Sequence, residues 1–151
     1  LALATTIKNI NRKSKNNISG LMIIYPPIIP INNNYELRSH ELYKNYNYLL
    51  TFPQLKEMWN LYAKNIKSND YYLNPTKLHS KQIFRKWPPT ILVLAEKDVL
   101  ADDSLVLYNH LKKYNISDLF LYRYNDIHGF YARFGKGMSA FKETTDKLIK
   151  L

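Results

Sequence analysis

Residues 91–98, Ile-Leu-Val-Leu-Ala-Glu-Lys-Asp, form an apolar strand that runs out into an acid. Residues 119–124, Leu-Phe-Leu-Tyr-Arg-Tyr, form another, followed by Asn125-Asp126-Ile127-His128-Gly129-Phe130. Between them lies a helical pattern whose Leu105, Tyr108 and Leu111 face inward. Strand, helix, strand in so short a stretch leaves few folds open. The strands pair in parallel through a right-handed crossover, because a tight hairpin cannot join them. An uncharged run such as residues 90–95 is how a strand buried on both faces reads. Residues 20–25, Gly-Leu-Met-Ile-Ile-Tyr, read the same way and are stopped by Pro26-Pro27 and Pro30.

The remaining segments complete an alternating order. Leu3, Ile7 and Ile10 recur at helical spacing, so the chain opens on a helix, and residues 11–19 are a polar, basic loop. Residues 28–52 are the least regular part. Asn32-Asn33-Asn34 reads as a surface loop, and residues 43–50 read as a short helix beside it. Leu55, Met58, Trp59, Tyr62 and Ile66 follow the i, i+3, i+4, i+7, i+11 spacing of an amphipathic helix whose first turn suits Pro53. Residues 68–89 form a long connection containing Asn74-Pro75 and Trp87-Pro88-Pro89. Residues 139–151 read as a closing helix through Phe141, Thr145 and Leu148. The predicted class is α/β, a mostly parallel sheet of three strands between helices. A sheet this small has exposed edges, which suggests that further strands belong beside it.

Composition narrows the function. The 151 residues make one domain or a piece of one. The chain opens Leu1-Ala2-Leu3-Ala4 with no initiator Met and no basic leader, as if within a helix of something larger. No apolar run reaches the ~18 residues of a membrane span. With no cysteine there is no disulfide, thiol nucleophile or thiolate zinc site, and the chain fits a reducing compartment. The formal net charge is +10, yet the lysines are scattered among Asn, Tyr and Ile. The densest basic stretch, Arg12-Lys13-Ser14-Lys15, sits in a loop. A basic balance without a groove-entering motif does not define a specific nucleic-acid partner.

The residues that carry chemistry lie just beyond the predicted strands, where open α/β sheets place their sites. Asp98 has two open readings. It orients a histidine and stabilises its imidazolium, or it begins a helix, where negative charge meets the N-terminal dipole. Asp102 and Asp103 read as helix-start acids, either of which can cap. His128 is either a proton shuttle, with a side-chain pKa near ~6.5, or an ordinary loop histidine. Gly129 would let the backbone turn sharply behind it. His40 and His79 read as loop residues and His110 as part of a polar helical face; the four histidines show no metal-ligand spacing. Phe134-Gly135-Lys136-Gly137 lacks the Lys-Ser/Thr ending of a phosphate loop and reads as a solvated loop. Met58, Trp59 and Tyr62 read as core, with the wall of an apolar pocket as their possible functional use. An acid followed by a histidine is two thirds of a hydrolase triad.

Taken together, these stretches resemble the C-terminal half of an α/β-hydrolase of the hormone-sensitive-lipase-like esterase and deacetylase family. The matching residues are Gly20 to Pro26 ("GLMIIYP"), Met58-Trp59-Asn60-Leu61-Tyr62, Asn74-Pro75 with Leu78, Pro88 to Asp103 ("PPTILVLAEKDVLADD"), Tyr108 with Leu111-Lys112, and Ile127 to Phe130 ("IHGF"). Val99 stands where the family usually has proline after its aspartate. The resemblance implies a three-layer α/β sandwich with Asp98 as the triad acid and His128 as the base. It implies no metal and no cofactor. Residues 1–151 would be the C-terminal portion of one domain, with residues 27–66 an insert lining the substrate pocket. The family's Gly-x-Ser-x-Gly nucleophile elbow occurs nowhere in the sequence. Its serine is therefore expected just upstream of Leu1, with the oxyanion-hole glycines further upstream. The implied function is a serine hydrolase of carboxylic esters or amides, with a small, apolar ester or amide as substrate. The 151 residues alone would be inactive. The alternative is a non-catalytic α/β-hydrolase-like binding domain, which makes no demand on the Asp98 and His128 pair.

Overall fold

The computed structural model describes residues 1–13, 17–31, 37–46, 48–63 and 70–151. Ser14 and Lys15 of the basic stretch, the Asn32-Asn33-Asn34 insert and Ile66 lie outside the described residues. In chain order the elements are α1 (Ala2–Asn11), β1 (Leu21–Ile24), α2 (Arg38–Tyr43), α3 (Phe52–Tyr62), a 3-10 turn (Pro75–Lys77), α4 (Lys81–Phe84), β2 (Thr90–Lys97), α5 (Ala101–Lys112), β3 (Leu119–Ile127), a second 3-10 turn (Phe130–Ala132) and α6 (Lys136–Ile149).

The three strands form one parallel sheet in the order β1-β2-β3. Its central strand starts directly after Pro88-Pro89, which have no N–H to donate to a ladder. Trp87 Nε1 donates to Thr90 Oγ1 at 3.1 Å, and that hydroxyl donates to Pro88 O at 2.8 Å. Along β2 the side chains alternate between two cores. Leu92 packs with Leu3 and Ile7 of α1 and with Leu107 and Leu111 of α5. Ile91, Val93 and Ala95 pack on the opposite face with Phe130 and with Ala140 of α6. Helices therefore cover both faces, and residues 91 to 93 have no solvent exposure. Burial of each of these side chains contributes about 2 kcal/mol. The edge strand β1 is covered less completely than its apolar sequence suggests. Leu21 and Ile23 are buried, whereas Met22 and Ile24 are half-buried.

The helical segments differ from their sequence reading in several places. The short helix beside the insert is α2, upstream of the expected residues 43–50. His40 Nδ1 accepts from Leu37 N at 3.2 Å at its start. The tyrosines at 43, 46 and 48 instead form a ring cluster. Thr51 opens α3 with a reciprocal cap to Gln54, and Pro53 occupies its first turn. Only Leu55 and Trp59 of its apolar positions are buried, against Ile31, Val99 and Leu100. Met58 and Tyr62 point outward, so the stripe is only partly core. The long connection 68–89 contains the Pro75–Lys77 turn, capped by Asn74, and α4, capped by Ser80. The last helix begins at Lys136 and buries Gly137, Ala140 and Thr144, not Phe141. A Cβ on Gly137 would collide with the backbone carbonyls of residues 130 and 131, so this glycine lets α6 approach the second 3-10 turn.

Asp102 and Asp103 do not cap α5; its N-cap is Leu100, without a side-chain cap. They tie the segment after β1 to the sheet. Asp103 is fully buried, and its Oδ1 accepts from Ile28 N at 2.7 Å and Ile29 N at 2.8 Å. Its Oδ2 lies 3.2 Å from His40 Nε2. Asp102 Oδ2 accepts from Ser39 N at 2.8 Å, and Ser39 Oγ donates to Val99 O at 2.7 Å. His40 is therefore a buried helical residue and not a loop histidine. His110 is also buried, donating from Nε2 to Leu78 O at 3.0 Å, so its helical face is not the polar one expected.

Asp103→Ala leaves two backbone N–H groups and His40 without their acceptor, a loss of roughly 3 kcal/mol. Urea unfolding checks this, and a midpoint equal to that of the unsubstituted chain would show that the tie is unimportant. A second expectation concerns pH. Burial holds the His110 imidazole below its ordinary value of 6.5, with the Leu78 carbonyl pulling the other way. The unfolded chain thus accepts a proton that the folded chain resists. This contribution to stability is present above 6.5 and is lost as pH falls from there through the lower folded value. Urea midpoints measured above and below that range should fall less in His110→Gln than in the unsubstituted chain. Equal falls would count against the assignment.

Candidate active site

Parallel pairing carries β2 and β3 side by side to their C-terminal ends. Thr90 pairs with Leu119 and Ala95 with Tyr124, after which the register shifts and Lys97 pairs with Ile127. β3 thus carries one extra residue across this shift, as in a β-bulge. The next residue on each strand is a candidate. Asp98 follows Lys97, and His128 follows Ile127. Two residues thirty positions apart in the sequence thus become lateral neighbours.

His128 Nδ1 lies 2.7 Å from Asp98 Oδ2. The other carboxylate oxygen accepts from Leu100 N at 2.9 Å, and the Asp98 carbonyl accepts from Ala101 N at 3.0 Å as α5 begins. The acid is therefore oriented by its own turn, an arrangement typical of aspartate. Its side chain has no solvent exposure, while that of His128 is 21% exposed. A carboxylate only accepts hydrogen bonds, so Nδ1 carries the proton in the neutral imidazole. Nε2 then holds the free lone pair. An imidazole held in this tautomer by a buried carboxylate can accept a proton at Nε2. Gly129, at φ +77°, turns the chain sharply after His128 and leads into the 3-10 turn that buries Phe130.

Other groups also lie at this end of the sheet. Tyr25, immediately after β1, sets its ring against the imidazole with centroids 4.5 Å apart. Its phenol is pushed above its ordinary value, first by burial and then by the Asp98 charge. Its place at the end of an apolar run was the only available clue. From the insert, Leu49 reaches Gly129, and Tyr43 Oη donates to Glu96 O at 3.0 Å. The remaining histidines lie elsewhere. His40 pairs with Asp103, His79 with Tyr114, and His110 with the Leu78 carbonyl. The Asp103–His40 pair is the same chemistry without access, since both side chains are closed to solvent. Phe134-Gly135-Lys136-Gly137 leads into α6, with Gly135 at φ +81° as its N-cap. Among the described residues, no three His, Cys, Asp or Glu side chains gather to hold a metal ion. None of the described helices is long and apolar enough to cross a membrane.

Comparison with known proteins agrees with this architecture. A search of curated proteins finds no significant match. Among solved structures, carboxyl esterase 2 from the mycorrhizal fungus Tuber melanosporum is similar with a TM-score of 0.82 and 22% identity, over 98% of this chain and 48% of that one. A thermostable esterase from Pseudomonas putida gives 0.80 and 19%, over 96% and 46%. Brefeldin A esterase, described as a bacterial homologue of human hormone sensitive lipase, gives 0.77 and 21%, over 95% and 41%. The chain spans about half the length of the solved structures it matches. At these identities the likeness establishes the fold alone, three parallel strands flanked by helices in an α/β-hydrolase-like arrangement. The family model described as the alpha/beta hydrolase fold matches residues 1–132, most of the sequence, and the chain belongs to that family.

Proposed function

We propose that this chain supplies the base and the acid of a serine hydrolase acting on carboxylic esters or amides. The observation that carries the reading is the Asp98–His128 hydrogen bond at 2.7 Å, with the acid buried and the imidazole reachable from solvent. The nucleophilic serine and the oxyanion donors come from a segment outside these residues. Supporting this is the absence of any Gly-x-Ser-x-Gly in a sequence that spans about half of its solved relatives. Those relatives are esterases by their own descriptions.

In the reaction, the serine hydroxyl attacks the carbonyl carbon while His128 Nε2 takes its proton. The imidazolium that forms keeps its Nδ1–H on Asp98, whose charge stabilises it. His128 then returns the proton to the leaving alcohol or amine, and the acyl-enzyme forms. Water repeats the cycle in the second half. Residues 27–66 line the acyl or alcohol pocket in this reading. The contact of Leu49 with Gly129 and the bond from Tyr43 to Glu96 support it, since both bring the insert to the rim that carries the dyad. The substrate is a small, apolar ester or amide, and neither metal nor cofactor takes part.

The test compares the 151-residue chain with the protein that also carries the upstream segment, using a p-nitrophenyl ester. The longer protein should turn over, and His128→Ala should lower kcat by at least about a thousandfold. The 151-residue chain should show no turnover. Hydrolysis by that chain, abolished by His128→Ala, would refute the division between segments. No turnover in the longer protein with its dyad intact would favour a binding domain.

A further inference from the structure

Four described residues other than glycine have positive φ: Lys13, Tyr25, Leu49 and Asn115. Two have an ordinary explanation. Lys13 follows the end of α1 and Asn115 follows the end of α5, where helices commonly end in a left-handed residue. Tyr25 and Leu49 end no helix. Tyr25 follows a strand, and Leu49 lies in the bend that precedes the cap of α3. Both touch the same short segment, His128-Gly129.

Tyr25, at φ +30°, is pinned on either side. Its N–H donates to Val93 O at 2.7 Å, and Pro26 follows it. From that backbone its ring lies 4.5 Å from the imidazole at an interplanar angle of 57°, with Phe130 a further neighbour at 6.1 Å. Leu49, at φ +70°, is 66% exposed, so burial does not explain its conformation. Its Cδ2 occupies the space beside Gly129, where an added Cβ would come within 2.5 Å of it. Strained residues persist only where their surroundings over-determine them, and they collect at functional sites. Here two of them, one just before the insert and one within it, converge on His128-Gly129, whose histidine Asp98 holds by one nitrogen.

We infer that Tyr25 and Leu49 are positioning residues for His128: the Tyr25 ring fixes the imidazole plane and Leu49 fixes the Gly129 turn behind it. The inference rests on the reading of His128 as the base and deepens it. A hydrogen bond through Nδ1 alone leaves the ring free to tilt about that bond. A tilted ring packed against the imidazole and a side chain against its loop remove that freedom, so Nε2 keeps one direction.

The experiment uses the 151-residue chain and reads the Nδ1 proton of His128 by NMR, together with urea unfolding. Leu49→Gly is the informative variant, because glycine adopts φ +70° freely and little buried surface is lost. Its unfolding midpoint should equal or exceed that of the unsubstituted chain, while its Nδ1 proton exchanges with water several-fold faster. A purely structural role predicts the opposite, lower stability with unchanged exchange. Tyr25→Leu should likewise speed the exchange, and Tyr25→Phe, which keeps the ring, should restore slow exchange. Unchanged exchange in both Leu49→Gly and Tyr25→Leu would overturn the inference. Lack of a protected Nδ1 proton in the unsubstituted chain would overturn it together with the dyad. Because turnover is not the readout, a clamp that fails leaves the hydrolase proposal standing. A longer protein without turnover leaves the clamp standing.

Discussion

The parallel ladder between β2 and β3 is the constraint on which the rest depends. Parallel strands end on the same side of a sheet, so whatever follows each of them is delivered to one rim. Here that delivery is nearly direct. Lys97 and Ile127 are the last paired residues, and Asp98 and His128 come next. The extra residue in β3 is needed for this alignment, because it advances the second strand by one position before the ladder closes. The helices covering both faces then bury the acid while leaving the base at the rim. Rigidity of the sheet becomes precision of one hydrogen bond, and the chemistry proposed for the chain depends on that bond.

The molecule contains two aspartate–histidine pairs, and their contrast shows how surroundings decide use. At Asp103–His40 the Nδ1 atom accepts from Leu37 N–H, so Nε2 carries the proton toward the acid. Every polar edge of that imidazole is occupied and no solvent reaches it. The pair works as an internal tie, and two more donors from residues 28 and 29 complete the carboxylate. At Asp98–His128 the tautomer is reversed and Nε2 has no protein partner among the described residues. One pair uses all its hydrogen-bonding capacity to hold the chain together. The other keeps one lone pair in reserve.

The tie and the site are also mechanically connected. Ser39 donates to the carbonyl of Val99, in the turn that orients Asp98, while its neighbour His40 is held by Asp103. The segment fastened there continues to Tyr43, bonded to the end of β2, and to Leu49, seated on Gly129. The strain at Tyr25 and Leu49 is borne by this surrounding framework. Tyr25 is pinned by the sheet, and the segment that carries Leu49 is anchored at its N-terminal end by a buried carboxylate and at its C-terminal end by the capped start of α3.

Alternation of apolar runs with helical patterns was enough to read the three strands and their parallel order, while the family was read from the resemblance of particular stretches such as residues 88–103 and 127–130. It also placed Asp98 and His128 just past strand ends, a local property of sequence, and left two readings of each open until the resemblance was drawn. Partners are a different matter. Asp102 and Asp103 read as helix-start acids because their first turn is visible, whereas the groups that bury Asp103 lie at residues 28, 29 and 40. His110 sits on a face that looks polar until Leu78 and the rings of Phe84 and Tyr114 close over it. The faces of α3 and α6 shifted for the same reason, since spacing identifies apolar positions but not which of them meet a neighbour. Left-handed tyrosine and leucine have no sequence signature at all. The sequence by itself determined the three strands and the helices α1, α3 and α5, because those follow from short-range periodicity and prolines, while α2, α4 and the start of α6 lie where periodicity did not place them. Only the tertiary structure decided which polar groups are buried, which tautomers His40 and His128 hold and where strain is kept, because those depend on contacts between residues far apart in the chain.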